Sequence, residues 1–402
     1  MHTLSHQVEA YIEHASWIRK MFEAGMALKK QYGQDKVFDF SLGNPDLPPP
    51  KAVADGLAAI AEEVTSPFAL GYMPNAGYQD VRQALAAHLA REQETPELAA
   101  EHLVLTCGAA GGLNALFRAI LEPGDEVICP APYFVEYGFY VENYGASLRP
   151  VACDGHSFGL DLAGIEKALN DQTRVVLINS PNNPTGQIYT SEALDRLASL
   201  LKQHSQKQGR PVYLVADEPY RFLVYDNAVV PAVLPRYSHS VVIGSFSKSL
   251  SLAGERVGYV AVNPAMEDAA VLVNGLILTT RILGFVNAPA IGQRLLARAL
   301  GQGVDVSVYA KRRSLMARVL DEAGISYVMP QGAFYFFPRV PGDSLDDTGF
   351  VHALMQENIL AVPGSGFGCA GGFRMAFCVP EDVIERSAKP MQRAVAAWLK
   401  AH

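Results

Sequence analysis

The sequence predicts an α/β protein, with a large unit built on a mostly parallel sheet flanked by helices and a smaller α+β unit beside it. Three observations carry this. Short β-branched runs alternate with helical patterns between residues 104 and 262. Several of those runs are apolar without alternation, as strands covered on both faces are. After Gly284 the texture changes to a long helical stretch followed by isolated strand-like segments. With 402 residues, 49% hydrophobic and 18% charged, the chain has ample material for such a core. The division read from these shifts is a large unit over residues 47–290, with residues 1–46 and 291–402 forming the small one.

His6–Lys30 is helix-like, with Tyr11, Ile12, Ile18, Phe22 and Met26 at three- and four-residue spacing, and is expected to pack on the small unit. SLGNPDLPPP (41–50) breaks it with Gly and Pro and reads as a crossing between units. Strands are expected at Val104–Thr106, Glu126–Cys129, Leu148–Val151, Arg174–Asn179, Val212–Asp217 and Val241–Ser245. Helices lie between several of them, at Gly111–Leu121, Leu162–Leu169 and Ser191–Gln206. Arg256–Val262 is a further strand, but the link before it is too short for a parallel crossover, so it should run antiparallel or pair elsewhere. Ala288–Ala323 reads as one long helical stretch; strand-like Tyr327–Val340, a helix near Thr348–Glu357 and a strand at Gly372–Val379 complete the small unit.

A net charge of −8 argues against nucleic acid or anionic membrane as a partner. Cys107, Cys129, Cys153, Cys369 and Cys378 include no CxxC pair, so neither a disulfide framework nor a metal site is expected. The N-terminus lacks an apolar signal-like region and no apolar run is long enough to span a membrane, which reads as cytoplasmic.

The chemistry gathers where strands end. SFSK (245–248) puts Lys248 among small and hydroxylated residues just past Val241–Ile243, although most lysines are only solvated loop residues. LTCGAAGG (105–112) runs a strand through small residues into a helix, which suits a phosphate, though such turns are common without one. PAPYFVEYG (130–138) offers Tyr133 and Phe134 for stacking on a flat ring, with core packing as the plain alternative. NSPNNPTG (179–186) points Asn183 from a turn that could also be only a turn. VYLVADEPY (212–220) ends an apolar strand in Asp217, which needs a cationic or hydrogen-bonding partner, with Tyr220 three residues on. A lysine for a Schiff base, a carboxylate for a pyridine nitrogen, a phosphate cradle and a stacking ring are together the requirements of pyridoxal phosphate.

At these motifs, NNPTG, DEPY, SFSKSLSLAGERVG and FRMAF, the chain resembles the class I/II aminotransferases of fold-type I, from about Ser16 to the C-terminus. The resemblance implies that Lys248 holds the cofactor covalently and then shuttles the substrate proton, that Asp217 pairs with the ring nitrogen, and that Asn183 and Tyr220 bind the ring oxygen. It implies Phe134 as ring stacker, with Tyr133 second, and a phosphate site made by Ser245, Ser247, Arg256 and the backbone of Gly108, Ala109 and Ala110. Relatives often carry Ser or Thr where this chain has Ala109 and Ala110. Arg374 would clamp the substrate carboxylate, with Gly43 and Asn183 lining the same place and Trp17 closing over it. Tyr72 would reach the phosphate of a neighbouring subunit, implying a homodimer with shared active sites. Arg281 is a candidate for an acidic substrate side chain or a plain helix-surface arginine, while Phe285 near Trp17 and Tyr72 would favour an apolar one. The implied activity is ping-pong transfer of an amino group from an L-amino acid to a 2-oxo acid; the alternatives are a C–S β-lyase on the same cofactor and a non-catalytic, cofactor-binding regulator.

Overall fold

The structure, a computed structural model, describes residues 3–13 and 17–402, without the side chains of residues 13–20 and 22. Its centre is a seven-stranded sheet: β1 (Leu103–Cys107), β2 (Glu126–Ala131), β3 (Ser147–Ala152), β4 (Thr173–Asn179), β5 (Tyr213–Asp217), β6 (Ser240–Ser245) and β7 (Val257–Val262), in the spatial order β1-β7-β6-β5-β4-β2-β3. From β6 through β5, β4 and β2 to β3 the pairing is parallel. Only β7 runs against its neighbours, β6 and β1, as the short connection before it requires.

Strand periodicity sorts the core into two layers. On β5, Leu214 and Ala216 face one layer and Tyr213 and Val215 the other; on β6, Val242 opposes Val241 and Ile243. The helices Gly108–Ile120 and Ala269–Ile282 cover one face; Gln79–Glu92, Ser191–Gln208 and Ala290–Ala299 cover the other. Most of the strand side chains are fully buried, and each such Val, Leu or Ile contributes about 1.5–3 kcal/mol relative to exposure.

A third cluster gathers Met21, Val37, Phe38 and Phe40 with the chain from Val304 to Trp398. Its strands are short: β8 (Tyr335–Phe336), β9 (Val362–Pro363) and β10 (Phe373–Ala376) form an antiparallel sheet in the order β9-β10-β8. Phe38–Asp39 pairs in parallel with Ile359–Leu360, which ties the residues before the crossing to this cluster.

Two expectations need correction. The long helix read over Ala288–Ala323 is two, Ala290–Ala299 and Val306–Glu322, because Gly301 takes a left-handed φ of 82° between them. The N-terminal stretch forms His6–Glu13 and Trp17–Tyr32, and the second does pack on the third cluster, but through Met21, Ala24 and Leu28. Ile12 and Met26, read as its apolar face, are exposed. Tyr11 instead docks on the helix Glu136–Glu142, edge-on to Phe139 at 4.6 Å and donating to Glu142 at 2.6 Å.

Candidate active site

The parallel register aligns the ends of β4, β5 and β6. Asn179 pairs with Asp217, and Asp217 with Ile243, so residues 179, 217 and 243 lie side by side, with Ser245 two residues further along β6. This is the carboxyl edge where α/β sheets bind ligands. A cavity of about 310 Å³ opens there, at the lower end of the range for small-molecule sites. It is lined by Phe134, Asn183, Asp217, Tyr220, Ser245, Ser247, Lys248, Arg256, Ala109 and Ala110, and by Gly43 and Arg374 from the other side.

Lys248 enters it just beyond β6. Its Nζ donates to the Gly43 carbonyl at 2.7 Å. Burial, reinforced by the charges of Arg374 and Arg256, pulls its amine down to about 8. Asp217 is pushed up to about 6 by burial, although the Tyr137 hydroxyl, donating to Oδ2 at 2.5 Å, favours its ionised form. The other oxygen, Oδ1, is buried and has no hydrogen-bond partner in the protein. Asn179 braces the same place: its amide donates to the Asp217 carbonyl at 2.7 Å while its Oδ1 accepts from the Asn183 N–H at 2.7 Å. The Asn183–Pro184 peptide is cis.

Around the other end of the cavity, the helix Gly108–Ile120 begins directly after β1. Gly108 has φ 69°, and a Cβ there would meet Arg256 Nη2 at 2.8 Å, so the guanidinium lies against bare backbone. Arg256 itself is left-handed, at φ 49°. A helix N-terminus beside a guanidinium is an anion site.

Arg374, on β10, is buried with its guanidinium 4.9 Å from the ring centres of both Tyr335 and Phe367. Nη1 donates to Asn183 Oδ1 at 3.2 Å and Nη2 to the Ser41 carbonyl, leaving Nε without a partner. Burial lowers its pKa, yet an arginine remains charged.

Twelve of the residues singled out in the sequence thus line one cavity; Gly108 adjoins it through Arg256. Tyr72 does not reach it: it is 96% exposed, in a groove with Met73, Phe285 and Ala288. Arg281 is exposed at the end of its helix. The side chain of Trp17 lies outside the described residues. Tyr133 lies just outside the lining, its ring packed against Gly368. Missed in the sequence were Asn179, Tyr137, Tyr140 and Tyr335. Asn179 opens the NSPNNPTG turn and ends an apolar strand, a signal that could have found it. Among the described residues, no His, Cys, Asp and Glu group could hold a metal.

The pyridoxal-phosphate fit can be tested on these atoms. An orphaned carboxylate oxygen suits a pyridinium N–H, the helix start and Arg256 suit a phosphate, and a low-pKa amine between them suits an aldehyde. The residues fit the group, and fold and cavity together define a pyridoxal-phosphate-dependent transferase of fold-type I. The chain belongs to the aminotransferase class I and II family, whose sequence model matches residues 35–390. It is 33% identical, over 87% of each chain, to a probable N-acetyl-LL-diaminopimelate aminotransferase of Bacillus subtilis. It is 31% identical to the aspartate aminotransferase of Thermotoga maritima, over 90% of this chain and 91% of that one. Among solved structures, an aminotransferase from Eubacterium rectale superposes with a TM-score of 0.93 at 36% identity, covering 99% of this chain and 100% of that one. The protein is therefore an aminotransferase that uses pyridoxal phosphate, and the relatives give no support to the lyase alternative.

Proposed function

We propose that this cavity moves an amino group from an L-amino acid to a 2-oxo acid in two half-reactions, with Lys248 as the catalytic residue. The observation that carries the reading is the convergence of Lys248, Asp217 and Arg374 on one cavity. Pyridoxal phosphate, when bound, supplies an aldehyde to receive the amino group and a ring that delocalises the electron pair left at the substrate α-carbon. Asp217 Oδ1 holds the proton on the ring nitrogen, and Tyr137 keeps that carboxylate ionised and aimed. Phe134 covers the ring; Asn183 and Tyr220 hydrogen-bond its oxygen. Ser245, Ser247, Arg256 and the N–H groups of Gly108, Ala109 and Ala110 bind the phosphate, the backbone replacing the hydroxyls that Ala109 and Ala110 lack. Arg374 binds the substrate carboxylate with a planar fork, beside Gly43 and Asn183. Lys248 Nζ takes the proton from the α-carbon as general base, which an amine with a pKa near 8 can do close to neutral pH.

The two-unit division extends this proposal, with the second boundary between Ala299 and Val304, since Leu295 and Leu296 of the helix Ala290–Ala299 sit in the sheet layer. A cytoplasmic homodimer is also part of it. Its support is the five unpaired thiols and the solvent-facing Phe68 and Tyr72, 92% and 96% exposed in the single chain. Among the described residues no helix is long and apolar enough to cross a membrane. The net charge of −8 argues against nucleic acid as a partner, while a small acid needs only a local positive pocket such as Arg374 and Arg256 give this cavity.

The test is a visible absorbance spectrum of the cofactor-loaded protein before and after amino acids are added without an oxo acid. Conversion of the visible band to the amine form of the cofactor, with a 2-oxo acid released, is expected. A persistent band with pyruvate and ammonia accumulating would show elimination instead, and no band at all would overturn the reading.

A further inference from the structure

We propose that Tyr335 is a positioning residue that couples the carboxylate clamp to the ring-oxygen donor: its ring seats Arg374 and its hydroxyl orients Tyr220. This rests on the roles of Arg374 and Tyr220 given above. Tyr335 is buried on β8, and its register partner on β10 is Ala376. Arg374, two residues from Ala376, therefore emerges on the same face of the sheet. Its guanidinium is held between two aromatic faces, Tyr335 and Phe367, each 4.9 Å away.

The hydroxyl of Tyr335 lies 2.8 Å from that of Tyr220. It reaches this place only because residue 43 is a glycine: a Cβ there would fall 1.9 Å from the Tyr335 oxygen. The same Gly43 accepts the Lys248 amine through its carbonyl. One contact set thus joins Arg374, Tyr335, Gly43, Tyr220 and Lys248.

Of two paired hydroxyls one donates. If Tyr220 gives its proton to a ligand oxygen, its own oxygen must accept, and Tyr335 is the donor. Burial keeps Tyr335 protonated, at about 12. A hydroxyl that accepts becomes a better donor, so Tyr335 strengthens the bond from Tyr220. The other charged or titratable groups facing this pair are Arg374, Cys378 and Tyr137, with Lys248 beyond Gly43.

The experiment measures the pH midpoint of the visible cofactor band, and KM for an amino-acid donor, in the loaded wild type and in variants. A hydrogen bond donated to the ring oxygen stabilises the anion that remains when the neighbouring nitrogen loses its proton. Weakening it moves the midpoint up. Tyr335→Phe should raise the midpoint by roughly half a pH unit, with KM within about twofold because the ring remains. Tyr220→Phe should raise it further, and the double variant no further than Tyr220→Phe alone. Tyr335→Leu, which removes the ring, should raise KM about tenfold. Gly43→Ala displaces the hydroxyl by steric contact while residue 335 remains a tyrosine, so it should reproduce the midpoint rise even where Tyr335→Phe folds poorly. If Tyr220→Phe shifts the midpoint but Tyr335→Phe and Gly43→Ala do not, or if the shifts add in the double variant, the coupling is overturned. If KM is unchanged in Tyr335→Leu, the seating of Arg374 is overturned. If Tyr220→Phe itself moves nothing, the underlying role of Tyr220 fails instead.

Discussion

A lysine amine attacks an aldehyde only when neutral, and burial sets the pH at which Lys248 becomes so. With its pKa lowered to about 8, the neutral fraction rises through pH 8 and then levels. The rate at which cofactor-free protein takes up pyridoxal phosphate should follow that curve, whereas an ordinary lysine would keep gaining to about pH 10.4. Stopped-flow absorbance across pH 6–10 reads this directly; no plateau below about pH 9.5 would place Lys248 in ordinary solvent. Lys248→Ala should keep the fold and the secondary-structure signal but lose turnover; normal turnover in it would sink the mechanism. Arg374→Lys exchanges a planar fork, seated between two rings, for a point charge. Losing one charge-assisted bond, about 2–3 kcal/mol, should raise KM for every α-amino acid roughly 30- to 150-fold, with kcat less affected. At this scale the sequence was legible where an apolar strand stops in a polar residue. Asp217 is such a stop, and Lys248 and Asn183 follow the ends of β6 and β4 by three and four residues. Tyr335 was not, because in GAFYFFP it is one aromatic among several, all buried and all with the periodicity of core. Its partner Tyr220 is 115 residues away, and only the fold joins them.

Elements matter here chiefly for where they begin and end. The helix Gly108–Ile120 starts at the rim of the cavity, and Gly108, at φ 69°, lets Arg256 rest on its backbone. Gly108→Ala adds left-handed strain of about 1–2 kcal/mol and a methyl where the guanidinium lies. We expect apparent cofactor affinity to fall about tenfold or more, while amino-acid KM in the saturated enzyme changes little. Equilibrium titration of the cofactor-free variant checks this, and unchanged affinity would remove Gly108 from the phosphate site. The central strands and the helices between them were legible because each is a single uninterrupted pattern. The short strands of the small unit were not: β8 and β9 are two residues long and leave little period to read. The break at Gly301 was missed because apolar spacing resumes in the next helix, so the local backbone, not the pattern, ends the first one.

At the scale of the whole molecule, the groove holding Tyr72 and Phe285 has no counterpart within the described chain to cover it. Tyr72 and the solvent-facing Phe68 are costly to leave in water, and the proposed homodimer is the arrangement in which a second copy of the chain covers them. If the proposed homodimer shares its active sites, each site takes Lys248 from one protomer and Tyr72 from the other. That arrangement makes a distinctive prediction. Lys248→Ala homodimers lack the amine in both sites, and Tyr72→Ala homodimers lack the tyrosine in both. In a heterodimer of the two, one site has lost both residues, but the other recovers Lys248 from the second protomer and Tyr72 from the first. Subunits mixed in equal amounts and allowed to exchange should regain about a quarter of wild-type sites, since half the dimers are mixed and half their sites are intact. The same preparations mixed without exchange should regain none. If each protomer instead used its own Tyr72, every site with Lys248 would lack the tyrosine, and exchange would restore nothing. Recovery of turnover on exchange therefore tests the dimer and the sharing together, and sedimentation of the exchanged sample separates a failure to associate from a failure to share.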